Sequence, residues 1–201
     1  MTLQSSGIRL ILASASASRR ALLEAAGLTF EVHPSGVDES EVKQSADRDA
    51  IATALALADL KAQAVARQEP DAVVIGADQI LVCDGAWFDK PADAGAAADQ
   101  LRTLRGRTHE LATAVVCHAK GARIWQHTDT PRLTMRDFSE EFLQAYLLAE
   151  GEAVTGSVGA YRLEGLGAHL FTSIAGDHAT VLGLPLLPLL GFLREIGLLT
   201  N

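Results

Sequence analysis

Short apolar runs alternate along this chain with stretches whose apolar residues recur at helical spacing. That alternation points to an α/β protein, since strands and helices must bury their apolar faces against one another in layers. Residues 8–13 form an apolar run, read as a buried strand. Residues 19–26 read as a helix with Leu22, Leu23 and Ala26 on one side. Ser16 or Ser18 is placed to cap its start and Gly27 to end it. Residues 29–33 alternate as a strand and lead into a loop over 34–46. In residues 47–68, Ile51, Leu55, Ala58, Ala62 and Val65 mark the clearest amphipathic helix of the chain.

The middle of the chain reads as strand pairs. Ala72-Val73-Val74-Ile75 and Ile80-Leu81-Val82 are expected as two strands split by Gly76-Ala77-Asp78-Gln79. Asp84-Gly85 supplies a hairpin turn into Ala86-Trp87-Phe88. A helix over 93–104 ends near Gly106, and 111–117 pairs with 122–135 around Lys120-Gly121. Ser139 caps a further helix that buries Phe142, Leu143, Tyr146 and Leu147 and stops at Gly151. A last strand over 168–174 and a last helix within 181–199 complete the series. The stretches 34–46 and 155–167 approach ~12–15 structureless residues, a length at which loops tend to be functional.

At 201 residues the chain is long enough for one domain, or two closely packed lobes. With 48% hydrophobic and 21% charged residues it can fund a core, which excludes a disordered tail protein. The 17 basic and 25 acidic residues give a net charge of −8. No global field then draws in a polyanion, so nucleic acid and anionic membranes are not expected partners. A phosphate-bearing ligand needs a local cluster of cations working against the net sign. Cys83 and Cys117 make neither a disulfide scaffold nor a zinc site, and read as buried thiols in a reducing compartment. The segment from Met1 to Arg9 has no long apolar run, so no signal peptide is expected. The apolar 181–199 stretch is broken by Gly183, Pro185, Pro188 and Gly191, and reads as a terminal helix rather than a membrane span. A cytoplasmic location is the expectation.

Ser14-Ala15-Ser16-Ala17-Ser18-Arg19-Arg20 follows a strand and opens a helix. Hydroxyls and free N–H groups at a helix start attract anions, and arginine forks match phosphate. A serine cap with solvated arginines is the competing reading. Asp78 stands inside an apolar strand pair, where a carboxylate needs a cation, a metal or strong donors. Asp38-Glu39 alone reads as surface, but with Asp78 it offers oxygen ligands suited to magnesium or manganese. Lys61 and Lys90 each read as surface lysines on their own, and Glu164-Gly165-Leu166-Gly167 as a tight loop able to approach a flat ligand. The histidines show no i, i+4 metal spacing and no Gly-x-Ser-x-Gly elbow occurs.

Taken in order, the segment from Leu12 to Leu23, Val37-Asp38-Glu39, Leu60-Lys61-Ala62, Gly76-Ala77-Asp78-Gln79, Lys90-Pro91, Gly106-Arg107-Thr108-His109, Glu164-Gly165-Leu166-Gly167 and Gly183-Leu184-Pro185-Leu186 resemble the Maf family of nucleoside triphosphate pyrophosphatases, also called septum formation inhibitors. The likeness runs from about residue 10 to residue 195. It implies a mixed, twisted sheet with flanking helices, similar to inosine triphosphatases, in a single domain over 1–201 with two lobes around a deep cleft. It implies hydrolysis between the α- and β-phosphates of a nucleoside triphosphate, assisted by a divalent metal, and a protein that is often a homodimer. Carried over by motif, Asp78 is the proton acceptor, and Ser14, Arg19 and Arg20 lie at the triphosphate. Lys61 and Lys90 neutralise charge, and Glu39 joins Asp78 at the metal.

Three positions sort the substrate in this family, and here they are Ser18, Gln79 and Glu164. Gln79 with Glu164 resembles the 7-methyl-GTP branch, whereas the dTTP/UTP branch usually has Thr and Gln there. Chemistry agrees, since a carboxylate accepts from guanine N1–H and N2–H together and repels a pyrimidine O2. The expected activity is therefore a house-cleaning 7-methyl-GTP pyrophosphatase. The alternatives are a dTTP/UTP enzyme of the same family and a division-regulating binding protein.

Overall fold

The computed structural model describes residues 3–5, 7–45 and 49–200. The first elements are β1 (Arg9–Leu12), α1 (Ala17–Ala25), β2 (Glu31–Val32), α2 (Ser40–Ser45) and α3 (Ala50–Ala66). Then come β3 (Ala72–Cys83), β4 (Ala86–Phe88), α4 (Ala94–Leu104), β5 (Thr108–Ala119), β6 (Ala122–Asp129) and β7 (Arg132–Met135). After α5 (Glu140–Glu150) the chain makes 3₁₀ turns at Gly151–Thr155, Val158–Ala160 and Leu166–Leu170. It ends through β8 (Phe171–Ala175), α6 (His178–Val181) and α7 (Leu186–Glu195). The α/β class with a mixed, mostly antiparallel sheet and flanking helices is as the sequence implies. No helix among the described residues is long and apolar enough to cross a membrane.

Two compact units divide the chain, and β3 and β5 each pass from one to the other. The first unit takes in the chain up to Gln79, then Thr113–Asp129, then everything from Gly183 on. In it β1 runs parallel to both β2 and β3, and β5 pairs antiparallel with β6. Its core joins Leu10, Leu12, Leu23, Val73, Ile75 and Ala77 to Leu189, Phe192 and Leu193 of α7. The second unit comprises Ile80–Ala112 and Thr130–Leu182. There β4 folds back on β3, and β5, β7 and β8 form an antiparallel series. Its core gathers Leu81, Leu101, Leu104 and Leu111 with Leu143, Tyr146, Tyr161 and Leu170.

Several expectations are corrected. β3 is one continuous strand rather than two, so Asp78 sits mid-strand and not at a bend. Gly76 had suggested the break, but its missing side chain serves a helix crossing: a Cβ there would lie 2.2 Å from the Ala58 carbonyl oxygen of α3. The 34–46 stretch is no plain loop, since α2 occupies its end, and the 155–167 stretch contains 3₁₀ turns. Ala46 and Asp47, at the expected loop end and helix start, lie outside the described residues; the helix is described from Ala50, capped by Asp49. The run over 122–135 is two strands, because Pro131 has no N–H to continue the ladder. The last strand begins at Phe171 rather than Ala168, which lies in a 3₁₀ turn. On α5, Leu143 and Tyr146 are buried while Phe142 and Leu147 are half-buried, because they flank the buried stripe. The thiols of Cys83 and Cys117 are free and buried, as expected.

Candidate active site

The strand period builds the centre of the first unit. Gly76 and Asp78 are two residues apart on β3 and so point to one face. The bare Gly76 lets α3 lie directly against that face, with Ala58 and Ala62 over the glycine. Lys61 stands between those alanines in sequence, four residues after buried Leu57 and four before buried Val65. Helical spacing therefore puts its stem on the buried stripe and delivers the ammonium to Asp78. Lys61 Nζ donates to Asp78 Oδ1 at 2.5 Å and meets Glu39 Oε1 at 2.7 Å. The Lys61 and Asp78 side chains are only 13% and 10% exposed, so solvent screens this pair weakly.

The same groups set one another's charge. Burial pushes the Asp78 carboxyl above its ordinary range, while Lys61 and Arg19 pull it back. Burial works against ionisation of Glu39 as well, but the Lys61 and Lys43 ammoniums outweigh it and hold that carboxyl low. Glu39 and Asp78 thus face one point that carries positive charge. Magnesium or manganese takes carboxylate, phosphate and water oxygens, and typically only one or two carboxylates with substrate phosphates. The Glu39 and Asp78 pair fits such an ion in donor type. Among the described residues, no group of three or more His, Cys, Asp or Glu side chains is arranged to hold a metal by itself.

The strand-to-helix turn after β1 supplies cationic and hydroxyl donors. Ser16 caps α1 by accepting from the Arg19 N–H at 3.4 Å. Ser14 Oγ accepts from the Ser16 N–H at 3.2 Å and from Arg19 Nη1 at 3.2 Å. Arg19 Nε donates to the Gly183 carbonyl at 2.8 Å, which ties α1 to the Gly183-Leu184-Pro185 turn. Burial lowers the Arg19 guanidinium from its usual value, and the charges of Asp78 and Glu39 counter it. The first unit therefore gathers Ser14, Arg19, Glu39, Lys61 and Asp78 into one charged group. Ser18 is half-buried in the first turn of α1. Arg20 is exposed and pairs with Glu24 at 2.8 Å. Gln79, on the opposite face of β3 from Asp78, donates to Thr113 Oγ1 at 2.8 Å.

Lys90 and Glu164 belong to the second unit. Lys90 is exposed just after β4. Glu164 is exposed in the turn between Tyr161 and Gly167. Two participants went unread in the sequence: Thr113, which holds Gln79, and the Gly183 carbonyl, which holds Arg19. The burial of Lys61 had a signal, its i±4 relation to Leu57 and Val65, which outweighs the surface reading of a lone lysine.

A family model described as Maf-like protein matches residues 9–196 of the chain. The chain is similar to a Granulibacter bethesdensis protein named nucleoside triphosphate pyrophosphatase, 56% identical over 196 residues, covering 96% of this chain and 100% of that one. A Paramagnetospirillum magneticum protein of the same name is 54% identical over 190 residues, 93% of this chain and 98% of that one. A Rhizobium etli protein named 7-methyl-GTP pyrophosphatase is 47% identical over 194 residues, 94% and 96% of the two chains.

Proposed function

The chain belongs to the Maf-like protein family, and on that premise we propose that it is a nucleoside triphosphate pyrophosphatase acting on 7-methyl-GTP. The observation that carries the hydrolytic reading is Asp78, a mid-strand carboxylate facing Lys61 and Glu39 beside the Arg19–Ser14 turn. Asp78 accepts the proton of the attacking water. The water oxygen bonds to phosphorus as the α–β anhydride breaks, and pyrophosphate leaves with the bridging oxygen.

Arg19, held by Gly183 and Ser14, presents a fixed fork to the phosphates and stabilises charge on the leaving group. Lys61, which neutralises the carboxylates here, and Lys90 add positive charge to the triphosphate. A magnesium or manganese ion held by Glu39 and Asp78 would draw charge from the phosphate oxygens when bound. Gln79 and Glu164 support the purine reading, with Glu164 accepting from the guanine edge and Ser18 at the third sorting position.

Pyrophosphate release across 7-methyl-GTP, GTP, dTTP, UTP and CTP, with magnesium or manganese, tests this. The expected result is a preference for 7-methyl-GTP with the monophosphate as co-product. A preference for dTTP and UTP overturns the base assignment, and no pyrophosphate from any nucleotide overturns the activity.

A further inference from the structure

The second unit contains a buried carboxylate that the hydrolytic reading does not use. Glu150, the last residue of α5, has a side chain only 2% exposed. Its Oε2 accepts from Arg162 Nε at 3.1 Å and Nη2 at 2.8 Å, and its Oε1 accepts from the Leu166 N–H at 3.2 Å. Those donors bracket Glu164 in the chain, so Glu150 fixes both ends of the short turn that carries it. Tight packing completes the turn. A Cβ on Gly167 would lie 2.4 Å from the Arg162 carbonyl oxygen, and one on Gly165 would lie 3.4 Å from Glu150 Oε1. The missing side chain of Gly167 thus lets the backbone close on Arg162, a packing reason for that glycine, while a side chain on Gly165 would stand at ordinary contact distance from Glu150. The preceding stretch is pinned as well: Tyr146 Oη donates to the Ala160 carbonyl at 3.2 Å, and Tyr161 Oη bonds His109 Nε2 at 2.8 Å.

A charge that is buried, forked to an arginine and bonded to a backbone N–H resists displacement far more than an exposed ion pair. We propose that Glu150, with Arg162, is a positioning residue for substrate selection: it sets where Glu164 stands and thereby which base the enzyme accepts. The inference rests on the reading of Glu164 as the base-sensing residue. Glu150 acts through the turn, so its loss changes nucleotide discrimination and KM rather than the chemical step.

The test measures kcat and KM of the full-length chain for 7-methyl-GTP, GTP, UTP and dTTP in Glu150→Gln, Arg162→Ala and Glu164→Ala, with circular dichroism on each. Glu150→Gln and Arg162→Ala are expected to shift the purine-to-pyrimidine ratio of kcat/KM by about 10- to 100-fold, mostly through KM, in the direction of Glu164→Ala. Arg162→Lys, which keeps one charged donor, is expected to recover part of the shift. If Glu164→Ala moves the ratio but Glu150→Gln and Arg162→Ala do not, the positioning role is overturned and the base assignment stands. If Glu164→Ala leaves the ratio unchanged, the base assignment falls and this inference with it. Should Arg162→Ala fail to fold, because it strands a carboxylate only 2% exposed, the isosteric and uncharged Glu150→Gln decides alone.

Discussion

Asp78 and Glu150 are both buried carboxylates, yet their surroundings differ in kind. Glu150 meets a planar guanidinium through two N–H donors and a backbone N–H through its other oxygen. Asp78 meets the ammonium of Lys61, a compact charge on a flexible stem that also serves Glu39. A carboxylate bound by a rigid fork is held for shape. One that shares its cation with a second carboxylate is held less completely, and on the proposed reading it is the one that takes a proton. Burial alone therefore does not tell the two acids apart; the number and geometry of their donors do.

The sharpest way to break this contrast is at its acid. Asp78→Asn is expected to lower kcat by about 10²–10⁴-fold while nucleotide affinity, read by calorimetry, stays near wild type. Turnover within tenfold of wild type would remove Asp78 from the role of base. Next in size, Arg19→Lys loses the fork that spans Gly183 and Ser14, and a fall of about 10²-fold in kcat/KM is expected from pyrophosphate release. An unchanged value would mean that the first-unit cluster does not bind phosphate through Arg19.

A pH experiment sharpens the side of the comparison that serves shape. Burial lowers His109 from 6.5 to about 4, so it stays neutral in the native chain while the unfolded chain takes up a proton below 6.5. Its contribution is present above pH 6.5 and is lost as pH falls towards 4, worth about 3 kcal/mol over that window. His109→Gln keeps a polar partner for Tyr161 and should flatten the fall in Tm between pH 7 and pH 4.5. An equal fall in the variant would assign acid sensitivity to other groups. The smallest effect is expected at Arg20→Ala, which removes an exposed i,i+4 pair with Glu24 and should change stability by at most about 0.5 kcal/mol. Its kcat/KM should fall less than that of Arg19→Lys; the reverse order would place Arg20 rather than Arg19 at the phosphates.

Much of the local structure was legible. Ser16 and Ser139 cap their helices through side-chain oxygens, as their residue type and position suggest, while Asp49 and Asp93 cap theirs by the same rule without having been singled out. The Asp84-Gly85 and Lys120-Gly121 turns fall where the chain marks them. The unread part had two causes. Gly76 looks like a strand breaker until the helix pressing on it is known, and Lys61 looks like a surface lysine until its helix face is known. At Gly76 the deciding neighbour, Ala58, is distant in sequence and intrinsic preference gives way to packing, whereas at Lys61 the signal lies in Leu57 and Val65 of its own helix.

The order of residues by itself determined the alternation of strands and helices, the caps and turns, and the presence of an acid inside an apolar strand. Those features depend on periodicity and on bonds between near neighbours, which a linear chain displays. Tertiary structure alone decided that Lys61 reaches Asp78 across 17 residues and that Arg19 is fixed by a carbonyl 164 residues away. Such meetings follow from how closely a helix can approach a strand, and that distance is set by the packing of whole surfaces rather than by any local preference.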